Sequence, residues 1–174
     1  MNTNDMTIIL LTGIGATAAT DLWAIARRRI FGTPLPNFGF VGRWIAQMAR
    51  GHFKPRPIAA VRPVRGERVI GWTAHYAIGV AFALLLPALW GREWIQHPTL
   101  PPALIVGIAT VAAPLFVMQP GIGSKPSATA RVHSFITHAV FGLGLYLAAT
   151  VAARSNGMMV SWISMSGPSS YTLV

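Results

Sequence analysis

The sequence predicts an all-α integral membrane protein built as a four-helix bundle, and three observations carry that expectation. Four windows of roughly 20 mostly apolar residues, each enough to cross a hydrocarbon core, divide the chain. Charged residues are 10% of the 174 positions and apolar residues 53%. A water-facing surface typically holds about a quarter charged residues, so lipid is the expected solvent. The basic residues gather between the apolar windows. The length suits one membrane domain, 1–154, followed by a non-cytoplasmic C-terminal tail, 155–174.

The first span covers 7–26 and ends at Arg27, Arg28 and Arg29. Ahead of it stand Asp5 and no Lys or Arg, so it reads as a retained helix; a secretory leader opens with positive charge. In the following connection, Phe40, Val41, Trp44, Ile45 and Met48 share one helical face, opposite Arg43, Gln47 and Arg50. That is the pattern of a short amphipathic helix lying in the headgroup layer. The Pro-rich basic stretch 51–65 is expected to be irregular.

The second span covers 69–90 and carries Pro87 inside it. The third, 100–118, has Thr99 at the N-cap position, Pro101 and Pro102 in its first turn, and Pro114 inside. Gln119-Pro120-Gly121 is its expected stop, and the fourth span covers 132–153. Trp23, Trp72, Trp90 and Trp94 fall near span ends, where indole rings favour the interface.

Orientation follows from Lys and Arg. Ten lie between spans one and two, and Lys125 and Arg131 lie between spans three and four. The opposite side holds only Arg92 and Arg154, so the basic side is expected to be cytoplasmic and both termini not. The net charge of +10 and pI near 11.7 suit anionic lipid headgroups better than nucleic acid, because the charges flank apolar runs. Arg27, Arg28, Arg29, Arg43, Trp44, Arg50 and Lys54 are the expected headgroup contacts. The absence of Cys excludes disulfides and thiolate metal sites in this chain.

Two short matches suggest a duplicated two-helix hairpin. Residues 16–23 (ATAATDLW) align with 109–116 (ATVAAPLF), and His75 with Gly79 aligns with His138 and Gly142. A duplication predicts parallel halves related by an axis along the membrane normal. Gly13, Gly15, Thr17, Thr20, Gly142 and Gly144 are small residues suited to close helix packing.

Asp21, His75, Gln119 and His138 supply one polar group per span, within roughly 10 Å of the cytoplasmic boundary at 1.5 Å rise per residue. Ionisable groups at such depth mark either function or a buried interhelical bond. Three readings stand open: hydrogen bonds that fix helix register, a proton- or ion-coupled site, and ligation of haem b by His75 and His138 or of a metal ion by the two with Asp21. His52, His97 and His133 read as solvated. No phosphate-binding glycine loop, H-E-x-x-H or nucleophile elbow occurs, so no enzymatic activity is expected.

The stretches Gly13 to Thr17, Asp21-Leu22-Trp23, Val41-Gly42-Arg43-Trp44, Pro63 to Arg68, Gly71 to Tyr76, Ala113-Pro114, Met118 to Gly121 and Thr137 to Gly142 carry a further signal. Together they resemble a domain-of-unknown-function family of small bacterial inner-membrane proteins, over roughly residues 8 to 150. The resemblance implies a multi-pass fold in a bacterial inner membrane and no assigned activity. Three functional classes follow: a ligand-binding or transport bundle, an accessory subunit of a larger membrane complex, and a haem or metal protein. No cofactor is expected under the first two, and a homodimer is compatible with each.

Overall fold

A computed structural model describes residues 1–52, 57–113 and 127–166, with side chains through residue 158 in the last helix. Among them are six α-helices, one turn of 3-10 helix and no strand. The helices are α1 (Thr3–Phe31), α2 (Phe38–Met48), α3 (Glu67–Trp90), α4 (Glu93–Gln96), α5 (Leu100–Ala109) and α6 (Ala128–Ser166), with the 3-10 turn at Ile58–Ala60.

Helix α1 begins with a reciprocal cap. The Asn2 amide donates to the Asp5 carboxylate and the Asp5 amide donates to Asn2 Oδ1, both at 2.9 Å. It stops at Gly32, whose φ of 66° suits glycine, with the Gly32 amide donating to the Arg28 carbonyl. At 1.5 Å per residue α1 is about 43 Å long, longer than the hydrocarbon core. That length leaves room for its basic last turns outside an apolar layer of such thickness.

Among the described residues, three helices are long and apolar enough to cross a membrane: Thr3–Phe31, Glu67–Trp90 and Ala128–Met158. They mark the chain as a membrane protein. The four-span expectation is met only in part. Helix α5 is apolar but has 10 residues, and residues 114–118 of that window lie outside the described residues, as do Pro114 and the Gln119-Pro120-Gly121 stop. Thr99 occupies the α5 N-cap position but makes no side-chain cap. Its carbonyl instead accepts from Trp94 Nε1 at 3.2 Å. Pro87 is accommodated, since α3 runs on to Trp90.

Helix α1 lies between α3 and α6, and α5 packs on α6. Two i, i+4 rows of α1 divide the work. Gly13 and Thr17 meet Val80 and Gly79 of α3, while Gly15 and Ala19 meet Ala148 and Gly144 of α6. Residue numbers rise on α1 as they fall on both neighbours, so α1 is antiparallel to each. The same holds for α5 and α6, where Gly107 abuts Gly142 so closely that a Cβ on Gly107 would collide with the facing backbone. Small residues let lipid-embedded helices approach and gain dispersion contact, which replaces the missing hydrophobic drive.

Buried threonines inside α1 are satisfied locally. Thr12, Thr17 and Thr20 donate to the carbonyls of Ile8, Gly13 and Thr17 at 2.7 Å each. Ala16, Ala83, Leu86, Ala103, Leu145 and Ala149 form the sealed centre. Trp94 is buried in it with Ile95, not at the interface as its position near a span end suggested. Leu10, Leu22, Val69, Leu89, Leu147 and Val151 are among the large apolar side chains left outside, a coat that suits lipid.

Helix α2 is present and amphipathic. It docks on the first turns of α3, with Gly42 against the Glu67 carbonyl and Gly71 against the Phe38 carbonyl. The docked face holds Gly39, Gly42 and Arg43. At the opposite end of α1, Arg92 Nε donates to Asp5 Oδ2 at 2.8 Å and ties the α3–α4 turn to the start of α1.

Candidate functional site

The α1 row that packs on α3 ends at Asp21, and the α3 row Glu67, Gly71, His75, Gly79 brings His75 opposite it. His75 Nε2 lies 3.1 Å from Asp21 Oδ1, and the Tyr76 hydroxyl donates to Asp21 Oδ2 at 2.9 Å. The Asp21 and His75 side chains are 20% and 23% exposed, so the pair is shielded but not sealed. A carboxylate in this position accepts Nε2–H from His75 and leaves Nδ1 carrying the lone pair when the ring is neutral.

Aromatic rings enclose the histidine. Phe38, the first residue of α2, stacks on His75 with centroids 4.1 Å apart and planes at 27°. Trp72 meets Phe38 at 4.6 Å and His75 edge-on at 5.8 Å. Tyr76 is edge-on to His75 at 5.5 Å. Tyr76 and Phe38 were not singled out from the sequence. Tyr76 adjoins His75, while Phe38 reaches it only because α2 folds back onto α3.

His138 has a different partner. Its Nδ1 lies 2.7 Å from Thr110 Oγ1, and the same hydroxyl lies 2.5 Å from the Gly107 carbonyl. With the hydroxyl proton given to Gly107, Nδ1–H of His138 donates to Thr110 and Nε2 carries the lone pair. The two histidines thus occupy matching places on α3 and α6 but hold opposite ring nitrogens in their bonds. Gln119 lies outside the described residues. No three His, Cys, Asp or Glu side chains converge as a metal-ion ligand set among the described residues.

The expected headgroup contacts separate into kinds. Arg28, Arg29 and Arg50 are exposed, and Arg27 and Trp44 are half-buried; Lys54 lies outside the described residues. Arg43 departs from expectation because protein surrounds it, with 8% of its side chain exposed. Its Nε and Nη2 donate to the two Glu67 oxygens at 2.8 Å each. Its Nη1 donates to the carbonyls of Ile58 at 3.2 Å and Val61 at 2.8 Å. Hydrogen bonding to Glu67 holds the guanidinium pKa above its ordinary value. Glu67 also accepts from the Val64 amide at 2.8 Å. This cage fixes the connection before α3 and with it the position of Phe38 over His75.

Span-length apolar helices, a coat of exposed apolar side chains and a carboxylate held inside by ring donors define a small, all-helical membrane protein. The chain belongs to a family described as protein of unknown function (DUF2938), whose model matches residues 10–152. No curated protein and no solved structure matches it.

Proposed function

We propose that this protein is a multi-pass membrane bundle of ligand-binding or transport type whose working group is the proton-linked pair Asp21–His75. The observation that carries the reading is a contrast among its three shielded carboxylates, Glu93 being exposed. Asp5 is paired with Arg92 and Glu67 with Arg43, both permanent cations. Among the described residues Asp21 meets His75 and Tyr76 and no permanent cation. An imidazole can take up or release a proton, so one proton alters the net charge of the group. Partial exposure gives that proton, or a ligand coupled to it, a way in.

Several features support a bacterial inner-membrane setting with the basic side cytoplasmic. Arg27, Arg28 and Arg29 end α1 at the level where α3 begins, and Asp5 with Arg92 occupies the other end. The matching roles of Gly79 and Gly142, and of His75 and His138, support a fourth span at α5 and a duplicated hairpin.

The test is proton flux in proteoliposomes with an entrapped pH dye. The wild type is expected to relax an imposed pH gradient faster than empty vesicles, and Asp21→Asn and His75→Gln to abolish that excess while remaining folded. Flux no greater than in empty vesicles, with both variants melting early, would assign the pair to register alone. A second reading, an accessory subunit, rests on α3, of whose apolar window only 22% is buried within the chain. A stoichiometric second polypeptide on mild extraction would favour it.

A further inference from the structure

Unsatisfied buried polar atoms are uncommon and mark a missing partner. Among the described residues such side-chain atoms are Trp23 Nε1, Arg27 Nε and Thr33 Oγ1, all between residues 23 and 33 at the basic end of α1. Trp23 and Arg27 are one turn apart and continue the row that begins with Gly15 and Ala19. That row packs on α6, with Gly15 against Ala148 and Ala19 against Gly144. The same antiparallel register carries Trp23 and Arg27 alongside residues 136–140 of α6, near its basic beginning at Arg131.

We propose that Trp23 Nε1 and Arg27 bind a phosphate group in the crease between the end of α1 and the beginning of α6. Both side chains offer donors and no acceptor, so the ligand must supply acceptor oxygens. Arg27 adds a permanent positive charge, and its planar fork suits two phosphate oxygens at once. As whole residues Trp23 and Arg27 are half-buried, while Arg27 Nε and the indole N–H are covered. The bundle's basic end is the level at which phospholipid headgroups sit. The site is independent of Asp21, which lies on the α3 side of the same helix.

The experiment is native mass spectrometry of the full chain during stepwise delipidation, with melting temperature followed in parallel. The wild type is expected to retain one phospholipid after bulk lipid is gone. Trp23→Phe, which keeps an aromatic ring but loses the indole N–H with part of the bicycle, and Arg27→Gln are each expected to reduce retention at least five-fold. Arg154→Gln, at an exposed position far along α6 from the site, is the control and leaves retention unchanged. A rise in melting temperature with added phosphatidylglycerol but not with inorganic phosphate identifies a headgroup. A rise with inorganic phosphate that also displaces the lipid identifies a soluble phosphate, and either result supports the site. Equal retention by wild type, Trp23→Phe and Arg27→Gln overturns it, and Trp23→Phe alone decides if Arg27→Gln does not fold.

Discussion

Thr110 Oγ1 stands 2.7 Å from His138 Nδ1, one turn earlier in its hairpin than the place where Asp21 serves His75. Aligning the hairpins sets Thr110 against Thr17 and Pro114 against Asp21. The second histidine thus bonds to a neutral hydroxyl where the first bonds to a carboxylate. Replacing Thr110 with Val removes the hydroxyl and keeps the shape. The expected loss is about 1–2 kcal/mol, because a partly buried ring nitrogen is left unpaired. Thermal unfolding in mild detergent measures it, and an unchanged melting temperature would mean that water or another group replaces the bond.

Arg43 and Glu67 set the second prediction. Arg43→Ala leaves a shielded carboxylate without its cation and frees two carbonyls, at a cost of about 3–5 kcal/mol. Lysine is not expected to rescue it, since a single ammonium cannot match the fork on two carboxylate oxygens and reach both carbonyls. The readout is limited proteolysis between α2 and α3, which is expected to quicken in both variants. Wild-type cleavage rates in Arg43→Lys would refute the role given to the fork.

Arg92→Ala is expected to be milder than Arg43→Ala. Arg92 is 51% exposed, and its partner Asp5 keeps the Asn2 amide. Screening by solvent weakens such a pair. Melting curves of the two variants side by side decide this, and an equal or larger drop for Arg92→Ala contradicts the ranking.

Gly71→Leu is expected to separate α2 from α3, because any Cβ there strikes the Phe38 carbonyl. Overpacking of this kind typically costs about 1–3 kcal/mol. Loss of the Phe38 stack should also change the environment of His75. The check is an NMR comparison of the His75 ring resonances, which should move in Gly71→Leu and stay in a control such as Val69→Leu on the exposed face.

Tyr76→Phe removes one of the two donors to Asp21 and leaves His75 in place. About 0.5–1.5 kcal/mol of stability is expected to go. Under the proposed function proton flux persists in this variant, whereas it disappears in Asp21→Asn. Equal loss of flux in both would give the tyrosine hydroxyl a direct part in proton movement.

The sequence makes some of this legible for definite reasons. The apolar windows mark α1, α3 and α6 because lipid demands length and composition together. Asp21 and His75 share a level because each lies six residues inside its span, counted from Arg27 and Val69. The docking of α2 is harder to read. Hydrophobicity points to Phe40, Val41, Trp44 and Ile45 as the face that packs, yet Gly39 and Gly42 let the opposite face approach the α3 backbone and carry Arg43 inside. Trp94 is misplaced by a similar argument, since a tryptophan near a span end suits the interface until a short helix folds it into the bundle. The partner of His138 depends on the register of α5 against α6, which Gly107 and Gly142 set and which spacing alone does not specify.

The separation of Asp21 from its histidine along the chain bears on how the protein is made. His75 follows Asp21 by 54 positions, so during synthesis α1 reaches the bilayer well before either ring donor exists. A lone carboxylate at mid-bilayer costs a few kcal/mol even by the milder insertion scales. Asp21 lies close to the end marked by Arg27, Arg28 and Arg29, where water and headgroups can shelter it while it waits. The position of the site near one face is therefore also what lets its first helix insert alone.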